Sequence, residues 1–192
     1  MSSFNQRTTV PANFDPYYTK TTYGGYNTAI LGSPSAWTGS VLANCVGYSF
    51  GRFNEIHGTT TIPVYIGCTS GGTSPGSPQL WYARASQRGL STGSTPRLGA
   101  VACWIETDGT GGHTANVEAI NADGSIFVSE SGYDHYIFRT NTYNSSYYKA
   151  GYNFQGFIYP LINFDDDMDD ILYTYFARKR KRRRLLINGY TD

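Results

Sequence analysis

Charge is scarce in this sequence. Acidic and basic residues make up 15% of its 192 residues, and 15 bases against 14 acids leave a net charge of +1. A surface so thinly charged, with aromatics at 16%, suits a globular, extracellular-facing protein whose exterior is polar but largely uncharged. Cysteine is nearly absent too. Three cysteines, Cys45, Cys68 and Cys103, cannot all pair, and their scattered positions exclude a zinc-site spacing. No apolar run approaches the length of a membrane span, and none follows Met1 to Arg7, so a secretory signal is not expected. What is abundant is glycine, 22 residues, and tyrosine, 17, a mixture that favours short strands joined by many turns. The length is enough for one domain with a sizeable core.

The informative cysteine is Cys45. Asn44 is a favoured N-cap residue, and Val46, Phe50, Phe53 and Ile56 follow at helical spacing, so Cys45 opens a helix. Unpaired backbone N–H groups and the helix dipole favour an anion there. Such a position can lower a thiol pKa from about 8.5 to between about 3.5 and 7.5. The competing account is a small buried hydrophobe, so the thiol needs a base.

That base is His113. Gly112 to Ile120 and Ser125 to Glu130 flank the turn signature Asn121-Ala122-Asp123-Gly124, which reads as a hairpin. Alternation puts His113, Ala115, Val117 and Ala119 on one face, and Ile126, Val128 and Glu130 on one face of the return strand. A two-residue loop at Ala122-Asp123 makes residue 115 oppose 130 and sets Glu130 diagonally beside His113. A two-residue loop at Asp123-Gly124 moves Glu130 opposite Val117, too far away, and an odd loop separates the two groups onto opposite faces. In the first register, a carboxylate orients an imidazole that meets a thiol, the arrangement nucleophilic catalysis needs. Singly, a solvated strand-end histidine and a surface glutamate account for these residues equally well.

Other residues read as structural. Cys103 lies in the apolar run Val101 to Ile105, a buried strand, and Cys68 is read as inert as well. His57, before Gly58, fits a helix C-terminus that favours its charged form, and His135 reads as a surface histidine. Trp37, Trp81 and Trp104 could line a groove but are better explained as packing. A second helix is expected from the cap Ser77 and Pro78 through Leu80, Trp81 and Arg84 to Gly89, with later strands over residues 135–140 and 154–159.

Composition divides the chain into a polar, Tyr-rich extended lead-in (1–30), a central domain (31–163) and a tail (164–192). In the tail, five aspartates between Asp165 and Asp170 precede Ile171 to Phe176 and then seven consecutive bases, Arg178 to Arg184. Acids first and bases last complement a helix dipole, with Leu172, Tyr175 and Phe176 as an apolar stripe. The basic run suits contact with a polyanion or a virion protein, or remains solvated.

Four blocks in order carry a resemblance: Asn44-Cys45-Val46-Gly47-Tyr48 with Gly51-Arg52; Pro96-Arg97-Leu98-Gly99-Ala100-Val101; Gly112-His113-x-Ala115-x-Val117-Glu118; and Ser129-Glu130-Ser131. They resemble the cysteine, histidine-dependent amidohydrolase/peptidase (CHAP) domain over about residues 30–160. The resemblance implies an α+β, papain-like fold with N-terminal helices packed on a mostly antiparallel sheet. It implies cleavage of an amide bond in bacterial peptidoglycan, with Cys45 as nucleophile, His113 as general base and Glu130 as its orienting partner, and no cofactor. Many relatives carry Asn two residues after the acid, where this chain has Gly132. Some bind calcium through aspartates ahead of the nucleophile; residues 33–44 hold no carboxylate, so no metal is expected there. A wall-cleaving enzyme with no expected signal points to a phage lysin, made in the host cytoplasm and released to the wall or carried in the virion. The alternative is a non-catalytic phage structural or binding protein that works through its basic tail.

Overall fold

The computed structural model describes residues 4–12, 15–18, 44–59, 66, 77–132 and 136–164. Trp37, Cys68, His135, the segment directly ahead of Asn44 and the whole acidic-then-basic tail lie outside the described residues.

Helix α1 (Cys45–Ile56) starts as its sequence dictates. Asn44 is extended (φ −153°, ψ 160°), and its side chain accepts a 2.6 Å hydrogen bond from the Gly47 N–H. Val46, Phe50 and Phe53 form its buried stripe. Gly51 weakens the helix intrinsically, but a Cβ there would lie 2.4 Å from the Tyr18 ring, so the close approach requires glycine. The helix ends at His57, followed by Gly58 at φ +63°. The expected charged state of His57 does not hold. Its Nδ1–H donates to the Phe53 carbonyl at 2.6 Å, and its Nε2 accepts from the Leu161 N–H at 3.0 Å. Burial also pushes its pKa down, so the imidazole is neutral and pins the segment after the last strand to the helix.

The second helical region mixes geometries: a 3₁₀ turn (Pro78–Leu80), one α-helical turn, α2 (Trp81–Arg84), and another 3₁₀ turn (Ala85–Arg88). Ser77 occupies the N-cap position without a side-chain cap bond, and Gly89 stops the run at φ +72°.

Six strands follow: β1 (Thr92–Gly93), β2 (Val101–Glu106), β3 (Gly112–Ile120), β4 (Ile126–Gly132), β5 (Tyr136–Tyr143) and β6 (Tyr152–Ile158). They form one sheet in the order β1-β6-β2-β3-β4-β5, with every neighbouring pair antiparallel. The architecture is α+β, with α1 packed on β3 and β4. Alternation along β2 feeds two cores. Val101 and Cys103 join Val46, Phe50 and Phe53 beneath the helix, whereas Ala102 and Trp104 join Ala115, Val117, Val128 and Phe157 on the far face. Trp81, Trp104 and Cys103 are fully buried, and burial pushes the Cys103 thiol pKa up.

The hairpin departs from the expected two-residue loop. Ile120 pairs with Ile126, and the Asn121 N–H donates to the Ser125 carbonyl, which leaves a three-residue loop, Ala122-Asp123-Gly124, with Gly124 at φ +81°. An odd loop alone would put His113 and Glu130 on opposite faces. A β-bulge between Val117 and Ala119 absorbs the extra residue, so Val117 pairs with Val128 and Asn116 with Ser129. One step further, Ala115 falls opposite Glu130. The expected register is reached by a different route.

The stretch before α1 clamps the helix to the sheet. Arg52 holds Glu118 in a bidentate pair (Nε–Oε1 2.9 Å, Nη2–Oε2 2.8 Å), both side chains buried. Around it, Ser129 Oγ donates to Glu118 at 2.6 Å, the Arg7 N–H donates to Glu118 at 2.8 Å, and Arg52 donates to the Asn5 carbonyl at 2.6 Å. Glu55 accepts from Arg7, Arg52 and the Tyr18 hydroxyl. Among the described residues, no helix is long and apolar enough to cross a membrane.

Candidate active site

Three elements converge on one site. The N-cap geometry sets Cys45 at the first position of α1, and the start of β3 carries His113. The far end of β4 carries Glu130. All three side chains are buried: Cys45 is 7% exposed, His113 6% and Glu130 0%. The structure therefore brings together the three residues singled out in the sequence.

His113 Nε2 and Glu130 Oε2 are 2.5 Å apart, a short charge-assisted hydrogen bond. This engages one ring nitrogen and leaves Nδ1 for the Cys45 sulfur, close enough that thiol and imidazole each favour the other's charged form. The Thr114 N–H lies on the same side and favours the anionic sulfur. Thr114 Oγ1 is buried and has no hydrogen-bond partner. Glu130 is itself held in place: Arg139 Nε donates to its Oε1 at 2.7 Å, and the Tyr143 hydroxyl donates to its Oε2 at 3.1 Å. The rings of Trp104, 5.8 Å away, and Tyr152, 6.4 Å away, flank the imidazole. Gly112 lets the turn at Gln79 close over this strand, since a Cβ there would lie 2.7 Å from the Gln79 nitrogen and 2.6 Å from the Trp104 carbonyl.

The electrostatics favour the charged forms. Burial opposes ionisation of Cys45, but the bond to His113, its positive charge and the Thr114 donors outweigh it and hold the thiol below its ordinary value. Burial would likewise push His113 down, yet Cys45 and Glu130 together raise it. Glu130, despite its burial, is drawn down to about 2 by His113 and Arg139. Both shifts favour a thiolate–imidazolium pair backed by a carboxylate, and the first two groups titrate as a unit. Alkylation of Cys45 by iodoacetamide should accordingly stay fast well below pH 8.5, the free-thiol pKa being about 8.5. In His113→Ala the rate should fall at neutral pH and its midpoint should move upward; identical profiles for the two proteins would contradict the pairing.

Sequence reasoning missed Arg139, Tyr143, Thr114 and Tyr152. Arg139 had a signal, because it sits directly opposite Glu130 across β4 and β5, an opposite-charge pair visible once the strands are aligned. Tyr143 lies beyond the expected end of its strand, so nothing flagged it. Two motif residues turn out to be partners of each other: the arginine of Gly51-Arg52 and the glutamate of Val117-Glu118 form the buried pair that seats α1 on the sheet. Among the described residues, no group of three or more His, Cys, Asp or Glu side chains is placed to hold a metal ion.

Comparison with known proteins gives the family. A family model described as the CHAP domain matches residues 35–132. A Streptococcus mutans protein carrying a provisional hydrolase name is 45% identical over 53 residues, 28% of this chain and 24% of its own. The staphylococcal secretory antigen ssaA2 of Staphylococcus aureus is 36% identical over 112 residues, 56% of this chain and 40% of its own. A crystal structure of an N-acetylmuramoyl-L-alanine amidase from Staphylococcus aureus matches 59% of this chain and 30% of its own, at 28% identity and a TM-score of 0.42. The chain thus spans less than half the length of these relatives.

Proposed function

This chain belongs to the CHAP domain family, and from that premise we propose that it is a peptidoglycan hydrolase that cleaves an amide bond by cysteine nucleophilic catalysis. The observation that carries the reading is the placement of Cys45, at the start of a helix, beside the imidazole of His113, whose other face is bonded to Glu130. In this mechanism the Cys45 thiolate attacks the carbonyl carbon of the scissile amide. Negative charge develops on the carbonyl oxygen beside the first turn of α1. Asn44 caps the Gly47 N–H there, whereas the N–H of Cys45 has no acceptor within the helix. As the C–N bond breaks, the His113 imidazolium passes its proton to the leaving amine, and a thioester remains on the sulfur. Water then attacks the thioester, His113 takes up its proton, and the carboxylic acid departs as the thiolate re-forms. Glu130 stays ionised throughout and keeps Nδ1 aimed at sulfur.

The same reading extends to a papain-like arrangement, with the nucleophile on a helix and the base on a facing sheet, and to a phage lysin acting on the wall from a virion or after release. The scissile bond is the muramoyl–alanine amide or a peptide bond of the stem or cross-bridge. Digesting purified staphylococcal and streptococcal peptidoglycan and identifying the new ends by mass spectrometry decides among these bonds. No new end groups from any wall would overturn the hydrolase reading. The charge separation in the tail favours a second, compatible role, contact of Arg178 to Arg184 with a polyanion or virion protein. Deleting residues 178–184 should abolish that contact while leaving turnover on soluble wall fragments.

A further inference from the structure

One ammonium group beside the site is not used by the mechanism. Lys149 Nζ stands 4.9 Å from the centre of the Tyr152 ring, which in turn stands 6.4 Å from the His113 ring. Lys149 is half-buried, and none of the ion pairs among the described residues includes it. Two carboxylates around the site are otherwise engaged. Glu130 is taken by His113 and Arg139, and Glu106 accepts from Thr110 and from the Tyr152 hydroxyl at the other end of that ring. Thiolate, imidazolium, Glu130 and Arg139 sum to zero charge; Lys149 over the Tyr152 ring and Glu106 at its hydroxyl add one charge of each sign without forming an ion pair with each other.

Its position is fixed by the loop between β5 and β6. The buried Trp104 indole donates to the Tyr147 carbonyl at 2.8 Å. Tyr147 sits at φ +54°, a conformation uncommon for tyrosine, with its ring against Phe154 and Phe157. The Tyr152 N–H closes the turn onto the Lys149 carbonyl at 3.0 Å through Gly151 at φ +80°. Lys149 is thus carried on a constrained loop and seated on Tyr152.

We infer that Lys149, seated on Tyr152 beside His113, is a specificity determinant that pairs with a free carboxylate of the substrate close to the scissile amide. The inference rests on the hydrolase reading and names a substrate feature for that site: an acidic stem peptide in preference to its amidated form. Burial pulls the Lys149 pKa down while Glu130 and Cys45 pull it up and Arg139 opposes them, so its charge and those of the site act on one another. A partly dehydrated ammonium gains more from an incoming anion than one in bulk water.

The test uses soluble cross-linked muropeptides, which contain every candidate bond, with their carboxylates free or converted to carboxamides. The wild-type chain, Lys149→Met and Lys149→Arg are compared by kcat/KM, with Cys45 alkylation as a check that the site is intact. The wild type should prefer the free acid about tenfold or more, equivalent to about 1.4 kcal/mol. Lys149→Met should bring that ratio to within about twofold of one, mainly through KM, and Lys149→Arg should retain most of it. Equal wild-type turnover of the two substrates, or an unchanged ratio in Lys149→Met, would overturn the inference and leave the hydrolase reading standing. Absence of wild-type turnover on both would remove the hydrolase reading and this inference with it.

Discussion

Cys45→Ala is expected to lower wall hydrolysis by about five to six orders of magnitude, and His113→Ala by a similar factor, since single losses from a cooperating nucleophile and base cost that much. The double variant should be no worse than either single one, because both residues serve one step. The change at Cys45 removes a single sulfur atom from a site shaped by α1 and β3, so Cys45→Ala should melt within a few degrees of the wild type. Release of soluble muropeptides, followed with the thermal midpoint, measures both quantities. Residual turnover in Cys45→Ala within tenfold of the wild type would remove the thiolate mechanism. For His113→Ala, the loss should be accompanied by slower alkylation of Cys45 at neutral pH, which separates loss of the base from general damage to the site.

The largest effect on stability is expected at Arg52. Arg52→Met leaves Glu118 buried beneath α1 without its bidentate partner, a change that costs about 3–5 kcal/mol. For a chain of this size each kcal/mol shifts the midpoint by about 2–4 °C, so Tm should fall by about 6–20 °C. Glu118→Gln should do similar damage, because Ser129 and the Arg7 N–H also lose an ionised acceptor. The double variant Arg52→Met/Glu118→Leu should recover most of the loss, since no unpaired charge remains. Scanning calorimetry on the four proteins checks this. A double variant as unstable as the singles would mean that the pair itself, and not the stranding of one partner, holds the helix to the sheet.

Legibility in the sequence followed the range of the interactions. Local signals carried α1: the Asn44 cap, the Val46-Phe50-Phe53 stripe and the stop near Gly58 concern neighbours a few residues apart. Strands β2 to β4 were equally readable, because an apolar run, as in β2, and alternation, as in β3 and β4, are both local properties. What the sequence could not set was parity across the hairpin. That depended on the loop length and on a bulge at Glu118, and the bulge is tied to contacts with Arg52, 66 residues away. The state of His57 failed for a similar reason. A helix-end argument favours its charged form, but the Leu161 N–H arrives from 104 residues further along and requires a lone pair on Nε2. Tyr143 lies past residue 140, where its strand was expected to end; Arg139 shows itself only once β4 and β5 are aligned, and Lys149 lies in a loop with no periodicity to draw attention to it.

The hairpin between β3 and β4 sets a rule for anyone who redesigns this protein. Its three-residue tip and the irregularity at Glu118 are a matched couple, each cancelling the other's half-turn of side-chain orientation. Transplanting a tighter tip from another protein, without also deleting one residue near position 118, would rotate one partner of the His113–Glu130 bond away from the other. Homologous tips of odd and even length are therefore interchangeable only as whole hairpins.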